Sequence, residues 1–404
     1  MLRLGLLGCD ARMAKVAAAA VRRGDRLVAA WHVGDALPKG LDVPRLSGWE
    51  PLLDAASCDA VLIGSAEWGD AGREAVRTLV QAGRTLVLAQ PLELSMLWAY
   101  ELDMIRRDTG ATLVPCLPDR LHPFIARLRE RIEAAAGGVA DAESLQLERR
   151  MPERSREAVL GQFARDVDLI RVLAGDPAKL ATLGAADADT AWPTLAVGLT
   201  GPGLVPARWQ VAPAGDPGLT IRLQSGAGSV VVDIPDDPAR PWTLDGVPPD
   251  APGFDPDAAV LTALDRALGH GQPLGQPLGD ALIPAASWSD AARAVELAET
   301  VPRSLARGRA IDLHREEFTD LGTFRGTMAS LGCGLIVLAL VVVIVATLVA
   351  GVAREFRWDA LGWLADAWPA AVLAVLGVFL ALQTIPLLMG RSTGDQSPGR
   401  PDRP

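Results

Sequence analysis

The sequence predicts an α/β chain in three parts: a doubly wound parallel sheet, an α+β domain with a mostly antiparallel sheet, and two transmembrane helices. Three observations predict it. Over residues 1–118, short apolar runs alternate with helical segments, the pattern of parallel strands joined by crossover helices. From Glu143 the runs alternate apolar and polar, as in Ser144-Leu145-Gln146-Leu147-Glu148, which marks strands with one face in solvent. No charged residue occurs in 326–353 or in 367–390, and a spanning helix needs about 20 apolar residues.

The first part opens on an apolar run, residues 2–7, followed by a tight Gly8-Cys9-Asp10-Ala11 turn and an Ala-rich helix over 13–20. Strand, turn and helix in this order begin a Rossmann-type nucleotide-binding domain. The helix N-terminus behind the turn offers free N–H groups to a phosphate. Such a turn wants glycine at its second contact position, and here that residue is Asp10. Strands are predicted at 26–32, 61–65, 85–89 and 111–116, with helices at 72–82 and 94–108. This domain closes at residue 118.

The second part, residues 119–313, begins with a helix at 123–135. Half-exposed strands are predicted near 144–148, 207–211, 219–223 and 229–234. Between them, Val159, Phe163, Val167, Ile170 and Leu173 recur at helical spacing. Residues 235–256 are rich in Pro, Asp and Gly and read as a loop. Helices at 257–268 and 289–299 and a strand at 310–313 complete the domain.

Residues 314–325 form a polar linker, 326–390 a transmembrane hairpin, and 391–404 a disordered tail. Trp358, Trp363 and Trp368 stand where an interfacial aromatic belt belongs. Two spans return the chain to its starting side. Arg325, Arg391, Arg400 and Arg403 then lie inside, with Arg354 and Arg357 outside, which agrees with the positive-inside rule. The expected location is a cell inner membrane, with the N-terminal domains and the tail in the cytoplasm. Leu6-Leu7-Gly8-Cys9 is loosely like a lipoprotein cleavage site, but only Met1 to Arg3 could precede it as a charged region.

Composition excludes several classes. The net charge of −10 argues against nucleic acid as a partner. Cys9, Cys58, Cys116 and Cys333 have no CxxC spacing, which speaks against a zinc site or a disulfide framework and fits a reducing compartment. His32, His122, His270 and His314 are too scattered for metal-ligand spacing.

The order of elements resembles the Gfo/Idh/MocA oxidoreductases, relatives of glucose–fructose oxidoreductase and inositol dehydrogenase. Residues 58–63 (CDAVLI) are similar to that family's third strand, and 81–87 (QAGRTLV) to its A-L-x-x-G-K-H-V segment. Gln90-Pro91-Leu92 falls on its E-K-P-L motif, Arg120 and Pro123 on an R-x-x-P segment, and 168–175 (DLIRVLAG) on its D-x-L-x-x-L-x-G helix. Residues 298–313 resemble its closing segment. The likeness covers residues 1–313. It implies NAD or NADP in the first domain and hydride transfer to or from a sugar or cyclitol. By the same analogy the cofactor would lie against Gly8, Ala11, Ser65, Gln90 and Pro91.

The positions that carry the family's chemistry depart from its pattern. The E-K-P lysine is Gln90, a neutral amide that cannot donate a proton. The only lysines are Lys15, Lys39 and Lys179, and none is placed to replace it. The D-x-x-x-H pair falls on Gly161 and Arg165, and the P-N-x-x-H loop on Ala66, Glu67 and Asp70. Asp10 either caps the first helix or repels a dinucleotide. His32 stands where an acidic residue normally holds the ribose, as a nucleotide contact or as plain surface. Arg165 either holds an anionic ligand in the inter-domain cleft or pairs with Asp168 at i+3. Gln90 either contacts the cleft or lies in a solvated turn, and His122 packs the junction. The expectation is a membrane-anchored, degenerate member of this fold, a binding or scaffolding module with no catalytic residues and with either no cofactor or NAD(P). The alternative is an active NAD(P)-dependent oxidoreductase with a relocated site. Expected partners are the membrane, through the hairpin, and a protein or small molecule in the cleft; a homo-oligomer is compatible with this.

Overall fold

A computed structural model of the chain describes residues 1–34, 37, 41, 43–64, 69–136, 142–184, 192–202, 204–212, 215–226, 228–247, 253–269 and 283–313, together with Val345 and Leu348. The predicted linker, the hairpin and the tail otherwise lie outside the described residues. Among the described residues no helix is long and apolar enough to cross a membrane.

Five parallel strands form the first sheet: β1 (Arg3–Leu7), β2 (Arg26–Trp31), β3 (Ala60–Ile63), β4 (Thr85–Leu88) and β5 (Thr112–Pro115), in the order β2-β1-β3-β4-β5. They read as unbroken apolar runs because helices cover both faces. One face packs Leu4, Leu6, Leu62 and Val87 beneath α1 (Ala11–Arg23) and α6 (Pro256–Ala267). The other packs Leu7, Val61, Ile63 and Leu88 beneath α2 (Gly69–Gln81), α3 (Met96–Thr109) and the first turns of α7 (Trp288–Arg307). Helices from the second half of the chain therefore complete the first sheet. Its strand order reverses between β1 and β3, and ligands of open α/β sheets bind at such a crevice.

The second sheet has eight strands: β6 (Ala142–Arg150), β7 (Lys179–Leu183), β8 (Ala196–Thr200), β9 (Ala207–Ala212), β10 (Gly218–Ser225), β11 (Gly228–Pro235), β12 (Thr243–Leu244) and β13 (Ile311–Asp312). Their order is β12-β11-β10-β6-β9-β8-β7-β13, antiparallel throughout except for β6 beside β9. One face carries Leu145, Leu147, Trp209, Leu219 and Ile221 into a core with α4 (Pro123–Ala136), α5 (Arg156–Ala174) and α7. The other face shows Gln146, Arg208 and Arg222, which explains the alternation read from sequence. Trp209 is fully buried, edge-on to Phe163 at 5.2 Å. Strands β7 and β8 and the turn-length β12 went unpredicted, and α7 continues through Pro302 well past residue 299.

Candidate functional site

The carboxyl ends of β1 and β3 meet at the first turn. Gly8 adopts φ +64°, a left-handed conformation natural to glycine, and its N–H donates to the Trp31 carbonyl at 2.9 Å. Asp10 is the N-cap of α1: its Oδ1 accepts the Met13 N–H at 2.8 Å. That N–H belongs to the group a phosphate would use. The carboxylate therefore stands where an anion would bind, and it satisfies the donor itself. Counting glycine spacing on from Gly8 reaches Met13, where a third glycine would allow close helix–strand packing. Met13 is fully buried in the cluster shared by β1, α1 and α6. The spacing Gly8, Asp10, Met13 carries this signal in the sequence itself. Across the crevice, a Cβ on Gly64 would lie 2.6 Å from Cys9 Cα and 2.7 Å from Asp10 N. The exit of β3 thus touches the turn backbone to backbone. Ala11, the first residue of α1, is exposed. Ser65 lies outside the described residues, as do Ala66 and Glu67; Asp70 is exposed at the start of α2.

Gln90 follows β4 and joins Pro91 through a cis peptide. It is buried, and its Nε2 donates to the Ala291 carbonyl of α7 at 3.1 Å. The solvated turn is therefore corrected: this amide links the first sheet to a helix of the second half. His32 is exposed at the end of β2.

A buried ion network locks the junction. Arg120, in the short turn Pro118–Leu121, reaches Asp168 Oδ1 at 3.0 Å and Asp290 Oδ2 at 3.1 Å. Arg171 holds Asp176 at 2.7 Å and Asp290 at 3.3 Å, and Arg293 holds Asp176 and Glu296. Asp168 is 1% exposed, and burial pushes its carboxyl up to about 6 against the pull of Arg120. Burial also works against the Asp290 carboxylate, but Arg120 and Arg171 hold it below the usual range. The pairing of Arg165 with Asp168 is not observed. Asp168 has turned to Arg120, while Arg165 is exposed and has no ion pair among the described residues. One turn earlier on α5, Gly161 offers no side chain.

Behind α5, Asp166 accepts from Arg149 (Nε 2.9 Å, Nη2 2.5 Å), from Trp209 Nε1 (2.9 Å) and from Gln162 Nε2 (3.1 Å). Arg149 also bonds Asp236 at 2.8 Å. His122 is buried and stacked on Trp242 at 3.9 Å, with Phe254 edge-on at 5.1 Å. Burial lowers its imidazole to about 4. Its Nδ1 accepts the Phe124 N–H, so it packs the junction as a neutral ring. Burial raises the Cys9 and Cys116 thiols to about 11, which makes them inert. No group of side chains among the described residues could hold a metal ion.

Comparison with known proteins supplies the fold's identity. No protein-family model matches the chain, and no curated protein matches its sequence. Solved structures do match. Myo-inositol dehydrogenase from Corynebacterium glutamicum ATCC 13032 is 16% identical over 78% of this chain and 99% of its own, with a TM-score of 0.58. UDP-N-acetylglucosamine 3-dehydrogenase GnnA from Acidithiobacillus ferrooxidans is 19% identical over 75% of this chain and 97% of its own, with a TM-score of 0.55. GenD2 from gentamicin A biosynthesis, solved in complex with NAD, is 18% identical over 78% and 97%, with a TM-score of 0.58. The fold is that of the Gfo/Idh/MocA dehydrogenases. At these identities the likeness speaks for the fold and leaves the chemistry to the side chains.

At the places the resemblance assigns to proton transfer stand Gln90, Gly161 and Arg165. Oxidation of an alcohol needs a base near the carbon being oxidised. Gln90 is a neutral amide turned into α7, Gly161 has no side chain, and the Arg165 guanidinium offers donors and no acceptor. The buried carboxylates Asp166 and Asp168 are held by arginines.

Proposed function

We propose that this chain is a binding module built on the dehydrogenase fold, in which hydride transfer has been lost, and that residues 326–390 anchor it to a membrane with the folded part on the cytoplasmic side. One observation carries the loss of chemistry. The Asp10 carboxylate occupies the helix N-terminus, bonded to the Met13 N–H at 2.8 Å, where a dinucleotide would place its pyrophosphate. A negative side chain there repels the phosphate and competes for its donor. The burial of Met13 and the engagement of Gln90 with Ala291 support the same reading.

A second reading, an NAD(P)-dependent oxidoreductase on a sugar or cyclitol with a relocated site, is favoured by the company the fold keeps. The structural neighbours described above are dehydrogenases, and one of them was solved with NAD. An activity screen separates the two. The full chain is incubated with NAD+ or NADP+ and myo-inositol or D-glucose, and absorbance of the reduced nicotinamide is followed. The binding-module reading expects no reduction above the enzyme-free rate. Sustained turnover that scales with protein concentration establishes the second reading. The membrane part is tested separately by an alkaline phosphatase fusion after Arg357, which the proposed topology requires to be active.

A further inference from the structure

We propose that the lip of the junction along α5 is an anion-binding site, where Arg165 holds the carboxylate or phosphate group of a small ligand. The proposal rests on the binding-module reading and names the ligand class of that module. Gly161, Arg165 and Asp168 fall within about 60° of one another around the helix, on one stripe. The C-terminal end of that stripe is sealed by the junction, with Asp168 fully engaged by Arg120 at 3.0 Å. Arg165 is the last exposed residue before the seal.

Among the described residues no carboxylate forms an ion pair with this guanidinium. The junction's other arginines, Arg120, Arg149, Arg171 and Arg293, each bridge two carboxylates. Arg165 has no ion pair among the described residues. On its own helix, Asp166 is taken by Arg149, Trp209 and Gln162, and Asp168 by Arg120. At Gly161, one turn away, an added Cβ would meet nothing within 4 Å. Among the described residues the stripe thus presents a guanidinium without an ion pair beside an open gap. A guanidinium offers five donors in a planar fork that matches a carboxylate or phosphate with two parallel bonds. A guanidinium has donors and no acceptor, so the position binds and does not act as a base.

The probes are D-glucuronate and inorganic phosphate, with D-glucose as the neutral control, titrated by calorimetry into the full chain in detergent. Saturable binding of D-glucuronate or phosphate is expected, and D-glucose should bind at least tenfold more weakly. Arg165→Gln should lower the anion affinity by about tenfold or more, the usual worth of a charge-assisted bond. Arg165→Lys should restore part of the loss, and Arg131→Gln, on an exposed face of α4, should change nothing. Absence of saturable anion binding overturns the proposal. So does equal binding by wild type and Arg165→Gln, or D-glucose binding as tight as D-glucuronate. Turnover with NAD+ or NADP+ in the screen above would overturn the binding-module reading and leave the Arg165 result standing.

Discussion

Asp168→Asn tests the junction network through its pH dependence. In the folded protein the Asp168 carboxyl is raised to about 6 from the ordinary 3.8, first because burial penalises its charge. Between those two values the folded state holds a proton that the unfolded chain has lost. Stability must then fall as pH rises through this window. The shift of roughly two units, at 1.36 kcal/mol each, corresponds to about 3 kcal/mol. Asparagine keeps the shape and cannot titrate, so the difference between wild type and variant isolates this group from all others. Urea unfolding followed by tryptophan fluorescence is a suitable assay, because Trp209 is buried beside α5 and bonded to Asp166. Measured at pH 4.5 and pH 7.5, wild type should lose stability relative to Asp168→Asn by about 2 kcal/mol, since only the part of the window above pH 4.5 is crossed. A pH-independent difference, or a gain by wild type on raising pH, would refute the reasoning. The latter would mean that Arg120 outweighs burial and holds the carboxyl below its ordinary value.

Four other outcomes follow from the same geometry. Arg149→Met strips Asp166 of its guanidinium and leaves it with Trp209 and Gln162; breaking a buried pair in this way should cost about 3–5 kcal/mol by urea unfolding. Adding Asp166→Asn should recover a substantial part of that loss, since no buried charge is then left unpaired. His122, lowered to about 4 by burial, should stay neutral at pH 5.5 in an NMR titration, and its contribution should be lost as pH falls from 6.5 through 4, the reverse of Asp168. Asp10→Ala should cost about 1 kcal/mol of stability through the lost N-cap.

Much of the fold was legible because the first sheet is buried on both faces. Its strands at 3–7, 60–63 and 85–88 appear in the sequence as apolar runs, and turn residues such as Gly8 and Gly24 mark their ends. Strands β7 and β8 escaped because they are short and interrupted by Gly, Ala and Thr, so neither periodicity dominates. The departures at Asp10, Gln90, Gly161 and Arg165 could be read one residue at a time. What each side chain does instead could not. Local spacing offered Arg165 as a partner for Asp168, whereas the partner is Arg120, 48 positions away and brought close only by the packing of the two halves. The bond from Gln90 to Ala291 spans 201 positions and depends on α7 folding back over the first sheet. The stack of His122 on Trp242 is equally invisible before the chain has folded.

The most direct measurement is a titration of the full chain with NADH and NADPH, following nicotinamide fluorescence, alongside Asp10→Gly. With Asp10 occupying the first turn of α1, no saturable binding is predicted up to about 1 mM, the upper end of ordinary KM values. Saturable micromolar binding by the unaltered chain would contradict the account, because a carboxylate bonded to the Met13 N–H would then have failed to exclude the pyrophosphate.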